Sequence, residues 1–246
     1  MLYAAQTHTG LVRSENQDAV QANPETGLFV LADGMGGHSF GSEASRIAVK
    51  EINDNISAHS PIPEPHLITD DYLMQTMRHS FARAHRAILE FASSHKVFEP
   101  MGTTATALWV VGERGVVGHI GDSRLYRKQN QDLSLLTSPQ TVAQELVDMG
   151  RLSPRDAAAS RYANVLSRVL GVQNKFDPEI QIISLQPGDA FLLCSDGLSN
   201  LVSSKHLSEI MGTDQTLEDK ASAMIDAALE QGAPDNVSLI LVAYGL

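Results

Sequence analysis

The sequence contains one cysteine, no long apolar run and few basic residues. Cys194 alone cannot form a disulfide framework, nor a zinc or iron–sulfur site that needs several thiolates. No apolar stretch reaches the roughly 20 residues of a membrane-spanning helix. The N-terminal MLYAAQTHTG lacks the basic segment and apolar core of a secretion signal. We therefore expect a soluble protein of the cytoplasm.

Acidic residues outnumber basic ones by 29 to 18, for a formal net charge of −11. A field of this sign repels nucleic acid and anionic membranes, so we expect neither as a partner. With 43% hydrophobic residues the chain can bury a full core. We predict one domain over residues 1–246 and, as a default, a monomer.

Apolar residues at helical spacing predict three amphipathic helices, over 42–57, 70–94 and 217–231. Asp70 and Asp71 stand where they would cap the second of these helices. Segment 140–170 has a mostly helical pattern. The proline-rich segment SPIPEP, between the first two helices, predicts a surface loop rather than a linker.

Strand-like runs fill much of the remaining sequence. We predict one hairpin from ALWVV and GVVGHI, and a second from IQIISL and AFLLC across the turn at 186–189. Hairpins, with helices in separate blocks, favour antiparallel sheets covered by helices over a parallel sheet. The predicted class is α+β.

Acidic side chains stand at the ends of separate predicted strands. Asp33, Asp122 and Asp196 each follow an apolar run, whereas Asp18 and Asp235 each precede one. An ionised carboxylate at the edge of an apolar core costs several kcal/mol unless a cation compensates it. Oxygen ligands suit Mg²⁺ or Mn²⁺, so we interpret the acids as a two-metal centre bridged by Asp33, which aims a water at phosphorus.

These residues also have ordinary interpretations. Asp-Gly after an apolar run is a common turn, and Arg13 or Arg124 would neutralise one or two acids. Cys194 fits a core residue better than a nucleophile, because Asn200 stands where a phosphate-binding cysteine loop needs arginine. His38, in the glycine-rich DGMGGHSFG, fits a proton donor and a surface turn equally well.

Six motifs cover nearly the whole chain. They are RSENQDAV (13–20), LADGMGG (31–37), GTTATA (102–107), GHIGDSRLYR (118–127), CSDGLSN (194–200) and APDNVSLILV (233–242). In this order they resemble the motifs of bacterial metal-dependent Ser/Thr protein phosphatases of type 2C. The resemblance implies a four-layer α-β-β-α sandwich, with two antiparallel β-sheets flanked by helices and a metal cleft at one end.

The resemblance also implies roles for the matching residues. The ligands of the two core ions, Mn²⁺ or Mg²⁺, would be Asp33 as the bridge, the Gly34 carbonyl, Asp196, Asp235, and Asp18 through a coordinated water. Asp122 would bind a third, weaker ion together with Asp196. The remaining roles would fall to Arg13 as the phosphate-binding group, His38 or a coordinated water as the proton donor, and Ser123 and Asn236 as supports.

The implied reaction is hydrolysis of phosphoserine and phosphothreonine on intracellular proteins by a metal-bridging hydroxide, without a phosphoenzyme. A cognate Ser/Thr kinase would supply the substrates. A binding module that has lost turnover is a second hypothesis, but a degenerate member would have lost some of the five acids. A two-metal nuclease conflicts with the acidic composition. An active phosphatase is therefore favoured.

One segment departs from the pattern of this family. After Leu136-Thr137 the family usually has Asp-His before Ser or Thr, whereas this sequence has Pro139-Gln140 before Thr141. The segment at about 138–171 still resembles the flap beside the active site. The change removes two ionisable groups and adds a stiff proline, so we expect altered substrate preference or third-metal affinity.

Overall fold

The computed structural model describes residues 1–37, 40–60, 62, 64–97 and 100–245. Its strands are β1 (Leu2–His8), β2 (Asp18–Asn23), β3 (Leu28–Met35), β4 (Gly102–Thr103), β5 (Ala105–Val111), β6 (Arg114–Ile120), β7 (Arg124–Gln129), β8 (Asp132–Leu135), β9 (Glu179–Ser184), β10 (Ala190–Cys194) and β11 (Val237–Ala243). Its α-helices are α1 (Phe40–Ala58), α2 (Asp70–Ser94), α3 (Val142–Asp148), α4 (Pro154–Ala158), α5 (Asp196–Ser199), α6 (Ser204–Met211) and α7 (Leu217–Glu230). Within these ranges, no helix combines the length and the apolar character needed to cross a bilayer.

The strands form two antiparallel sheets. Sheet A has the order β1-β11-β10-β7-β8, and sheet B has the order β2-β3-β5-β6-β9, with β4 attached to β3. Phe29 and Leu108 from sheet B pack against Phe191 and Ile240 from sheet A, all of them fully buried. These side chains form the core between the two sheets.

Helices cover the outer face of each sheet. The apolar sides of α1 and α2 pack on sheet B, where Trp109, Phe81 and Ile52 are fully buried. The apolar sides of α6 and α7 pack on sheet A around Leu207 and Met224. The predicted α+β class and the four-layer α-β-β-α sandwich are therefore confirmed.

The predicted helices are present, but the cap of α2 differs from the prediction. Thr69 caps this helix, since its side chain accepts a hydrogen bond from the backbone N–H of Tyr72. Asp70 and Asp71 lie inside the first turn, where the positive end of the helix dipole stabilises their negative charges. The two aspartates indicate where the helix begins, but the Thr69 hydroxyl before them is the group that accepts a hydrogen bond from a free N–H of the first turn.

Of the two predicted hairpins, the first is confirmed and the second is wrong. Strands β5 and β6 pair next to their turn at Val111 and Arg114. Strand β9 instead pairs with β6 in sheet B, and β10 pairs with β7 and β11 in sheet A. The turn between them carries the chain from one sheet to the other, and Asp189 in this turn forms an ion pair with Arg127 of sheet A.

Segment 140–170 is helical only in its first half. Thr141 and Ser153 cap the short helices α3 and α4. The chain then folds back on its own base, where the N–H of Ser167 donates to the carbonyl of Gln140 (3.0 Å) and the N–H of Leu170 donates to Thr103 (2.9 Å). These long-range hydrogen bonds replace the helix that the pattern predicted.

Candidate metal centre

The five acids come together at one end of the two sheets. Asp18 and Asp33 face each other across β2 and β3 of sheet B. Asp196 follows β10 and Asp235 precedes β11, its neighbour in sheet A. Asp122 lies in the connection from β6 to β7, where the chain passes between the sheets. The antiparallel order places all five at the same edge of the sandwich.

The carboxylates perturb one another strongly. Burial, and then the charges of Asp18, Asp196 and Asp122, raise the pKa of Asp33 well above its ordinary value. Burial and the charge of Asp196 raise the pKa of Asp122 to about 7. Burial, followed by the charge of Asp235, also raises the pKa of Asp196, and a hydrogen bond with Asp33 offsets part of that rise. Without a cation the cluster therefore retains protons near neutral pH.

Asp18 gives the clearest indication that the cluster binds a cation. Both of its carboxylate oxygens are buried, and no described residue lies in good hydrogen-bond geometry with either of them. Burial raises its pKa to about 6, although the hydroxyls of Ser195 and Ser238 nearby offset part of this rise. An unsatisfied buried carboxylate is costly, and an all-oxygen donor set fits a hard divalent cation.

The side chains do not yet stand in a coordinating arrangement. Among the described residues, no group of three or more Asp, Glu, His or Cys side chains is placed to hold an ion as it stands. Asp235 instead accepts a hydrogen bond from Arg13 at 2.7 Å, and this hydrogen bond is the main cause that raises the arginine's pKa. The pair is partly exposed, 56% and 41%, so separating it costs only about 0–1 kcal/mol.

Threonine hydroxyls form hydrogen bonds with the backbone of Asp33 and hold it in place. Its N–H donates to the Thr104 hydroxyl (2.9 Å), which is in turn 2.8 Å from the Ser123 hydroxyl. Its carbonyl accepts from the Thr103 hydroxyl at 2.8 Å. At the next residue, a Cβ on Gly34 would lie 2.1 Å from the carbonyl oxygen of Gly41. Only glycine fits there.

Asn236 ties the Arg13 loop to the start of β11. Its Nδ2 donates to the carbonyls of Thr9 (2.8 Å) and Glu15 (3.0 Å), and its Oδ1 accepts from the N–H of Gln17 (2.8 Å). The residue is 5% exposed. One amide therefore holds both sides of the loop that presents Arg13.

Replacing Asn236 by Ala should destabilise the protein by about 2–4 kcal/mol, because three hydrogen bonds are lost and their backbone partners are left unsatisfied. Urea unfolding measures this change. Asn53→Ala, which removes one hydrogen bond from Asn23 (3.1 Å), is the matched control and should cost about 1 kcal/mol or less. Equal losses in the two variants would contradict the role of Asn236.

Two other predicted residues have different outcomes. Cys194 is fully buried, and burial raises the pKa of its thiol to about 12. It is a core residue and not a thiolate nucleophile, as the sequence predicted. His38 lies outside the described residues, so its assignment as a proton donor stays a prediction.

A cavity of about 530 Å³ adjoins the acid cluster. Asp122, Arg124 and Asp196 line one side, and Thr141 and Asn164 from the flap segment line the other. The cavity is large enough for an extended peptide segment to lie beside the acids.

Sequence reasoning missed the serines that support the cluster. Ser195 and Ser238 connect β10 to β11, since the N–H of Ser238 donates to the Ser195 hydroxyl (3.0 Å). Both serines belong to motifs quoted above, CSDGLSN and APDNVSLILV. No local pattern indicates their proximity to Asp18, because β2 and β11 belong to different sheets.

Known proteins are similar to this chain over most of its length. The model of the family described as Protein phosphatase 2C matches residues 8–233. The serine/threonine phosphatase stp of Listeria monocytogenes is 32% identical over 243 residues, which are 98% of this chain and 94% of that protein.

Solved structures agree with this match. The crystal structure of the Mycobacterium tuberculosis serine/threonine phosphatase PstP/Ppp has a TM-score of 0.87 at 34% identity and covers 98% of this chain and 97% of its own. The catalytic domain of PstP in complex with two manganese ions has a TM-score of 0.83 at 33% identity, with coverage of 98% and 96%. From its motifs, its fold and these relatives, the chain belongs to the protein phosphatase 2C family.

Proposed function

We propose that this protein phosphatase hydrolyses phosphoserine and phosphothreonine on proteins and depends on two core Mn²⁺ or Mg²⁺ ions. The observation that carries the proposal is the convergence of five acids from both sheets, with the buried oxygens of Asp18 lacking partners. A binding module without turnover has no need to keep so costly a cluster.

Each acid has a place in this proposal. Asp33, Asp196 and Asp235 would hold the core ions together with the Gly34 carbonyl, with Asp33 as the ligand shared between them. Asp18 would contribute through a coordinated water, and Asp122 would hold a weaker third ion together with Asp196. When bound, the ions lower the pKa of a coordinated water and neutralise charge on the phosphoryl group.

Arg13 orients the phosphate of the substrate in this proposal. Its guanidinium already lies at the cluster, 2.7 Å from Asp235, and it is free to turn to a phosphate once Asp235 has another partner. The planar fork of arginine donates two parallel hydrogen bonds to phosphate oxygens. Cys194, buried and neutral, offers no nucleophile for a phosphocysteine, which supports direct attack by water.

The cellular setting is part of the same proposal. The substrates are the products of a Ser/Thr kinase, and the enzyme acts in the cytoplasm as a monomer with one catalytic domain over residues 1–246. The net charge of −11 supports protein substrates over nucleic acid or anionic lipid. His38 is the proposed proton donor to the leaving oxygen, alongside a coordinated water.

The test is hydrolysis of a phosphothreonine peptide by the purified protein with Mn²⁺ and with EDTA. We expect turnover with Mn²⁺, loss of turnover in EDTA and its return when Mn²⁺ is restored. A phosphotyrosine peptide of the same sequence is the control and should be a poor substrate. Turnover that persists in excess EDTA would reject the proposed mechanism.

Replacing Arg13 by Ala should lower kcat/KM for the phosphothreonine peptide by about 10- to 100-fold, the usual loss for a charged pair of hydrogen bonds. Arg13→Lys keeps the charge but not the fork and should lie between this variant and the wild type. Arg86→Ala, on the exposed face of α2, is the matched control. Unchanged kinetics in Arg13→Ala would remove this residue from phosphate binding.

A further inference from the structure

Gln140 stands where the sequence departs from the family's pattern, between β8 and α3. The residue is 5% exposed. Its Oε1 accepts a hydrogen bond from the N–H of Gly121 at 3.0 Å, and its own N–H donates to the Gly121 carbonyl at 2.7 Å. One residue of the flap base therefore holds both polar backbone groups of the residue that precedes Asp122.

The opposite side of Gly121 is held as firmly. Its φ is +107°, and a Cβ there would lie 2.5 Å from the side chain of Thr104. The hydroxyl of Thr104 accepts from the N–H of Asp33 at 2.9 Å. Gly121 thus lies between Gln140 and the residue that supports Asp33. A shift of Gln140 would displace the turn that carries Asp122.

The same segment anchors the flap. The carbonyl of Gln140 accepts from the N–H of Ser167 at 3.0 Å, and Thr141 pairs with Leu166. Just before it, the carbonyl of Ser138 lies 3.1 Å from Nε2 of His119, the last residue but one of β6. Burial lowers the pKa of His119 to about 4, so its ring is neutral and Nε2 donates.

Gln140 depends on a single side-chain contact. Its Nε2 is buried and has no partner among the described residues, so the amide is held through Oε1 alone. An uncharged acceptor also suits this place, since a negative charge here would lie close to the carboxylate of Asp122. Loss of that one acceptor removes the whole side-chain anchor.

We propose that Gln140 is a positioning residue that holds the Asp122 turn against the flap base. It thereby sets the affinity for the most weakly bound of the divalent ions. The assignment of that ion to Asp122 rests on the proposed function. Gln140 itself touches neither an ion nor the substrate. Its effect passes through the backbone of Gly121.

The test compares three variants of the full chain. Gln140→Leu removes the acceptor at similar volume, and Gln140→His restores the family's residue, whose neutral ring also has an acceptor nitrogen. Gln181→Leu is the matched control, because it removes a glutamine hydrogen bond to the same connection, at the carbonyl of Leu136 (2.7 Å). Mn²⁺ titration by calorimetry and hydrogen exchange of the Gly121–Ser123 amides are measured for each.

In Gln140→Leu we expect the dissociation constant of the weakest class of Mn²⁺-binding sites to rise by about fivefold or more, which is the usual effect of losing one buried hydrogen bond. Exchange at Gly121 should become faster, and the tighter classes should not change. Gln140→His should stay within about twofold of the wild type, and Gln181→Leu should match the wild type.

Two results would overturn the proposal. One is unchanged weak-class binding in a folded Gln140→Leu, and the other is an equal loss in Gln181→Leu. Hydrolysis of the phosphothreonine peptide by the wild type is measured in parallel. Absence of Mn²⁺-dependent turnover there would reject the proposed function, whereas unchanged weak-class binding alongside normal turnover would reject only the role of Gln140.

Discussion

Replacing Asp33 by Asn should abolish phosphatase activity and at the same time make the metal-free protein more stable. Asparagine keeps the shape of the side chain but loses the negative charge that a bridging ligand needs, so we expect at least about a thousandfold lower kcat with Mn²⁺. In EDTA the same change removes a buried carboxyl that Asp18, Asp196 and Asp122 all repel, and the new amide donates hydrogen bonds to its acidic neighbours.

Thermal unfolding in EDTA and with Mn²⁺ measures both sides of this prediction. The melting temperature of Asp33→Asn should exceed that of the wild type in EDTA, and Mn²⁺ should raise it far less. Asp54→Asn is the matched control, since Asp54 forms an exposed ion pair with Lys50 (2.6 Å) on α1. A variant that retains turnover, or that is less stable than the wild type in EDTA, would contradict the assignment of Asp33.

The metal-free protein should lose stability as the pH rises from 5.5 to 8.5. The folded pKa is about 6 for Asp18 and about 7 for Asp122, whereas an unfolded aspartate titrates near about 3.9. The folded state therefore binds more protons between these values. The contribution of these two groups to the free energy of unfolding is fully present below about pH 4, and it is lost as the pH rises through their folded pKa values.

The expected loss over this range is roughly 3 kcal/mol, or about 5–10 °C in melting temperature for a chain of this length. Melting curves in EDTA at a series of pH values measure it. Saturating Mn²⁺ should remove the trend, because bound cations keep the carboxylates ionised, and Asp122→Asn should reduce it. A metal-free melting temperature that is flat or rises over this range would show that the acids do not share a buried cluster.

The sequence predicted much of this structure because its strongest signals are local. The apolar stripes of α1, α2 and α7 and the short hairpin of β5 and β6 each depend on neighbours within a few positions. The acids were also predictable as candidates, since each stands next to an apolar run that must be buried. Charge at the edge of a core is informative without any knowledge of the fold.

The failures concern relations between distant segments. Strand β1 was not predicted, and its burial is confined largely to Ala4. The turn at 186–189 looks like a hairpin turn, yet it passes the chain between sheets, and only the pairing of β9 with β6 reveals this. The ion pair of Arg13 with Asp235 and the hydrogen bonds of Gln140 with Gly121 likewise join residues that are distant in sequence. No local pattern predicts such contacts.

The order of the strands affects how the enzyme is made. Strand β11 lies between β1 and β10 in sheet A, and Asp235 lies two residues before it. Asp18 and Asp33 emerge from the ribosome before Asp235. The acid cluster that they form with Asp235 cannot assemble until β11 has emerged and paired in sheet A. A polypeptide that has not yet formed β11 is therefore catalytically silent, although it already holds four of the five acids.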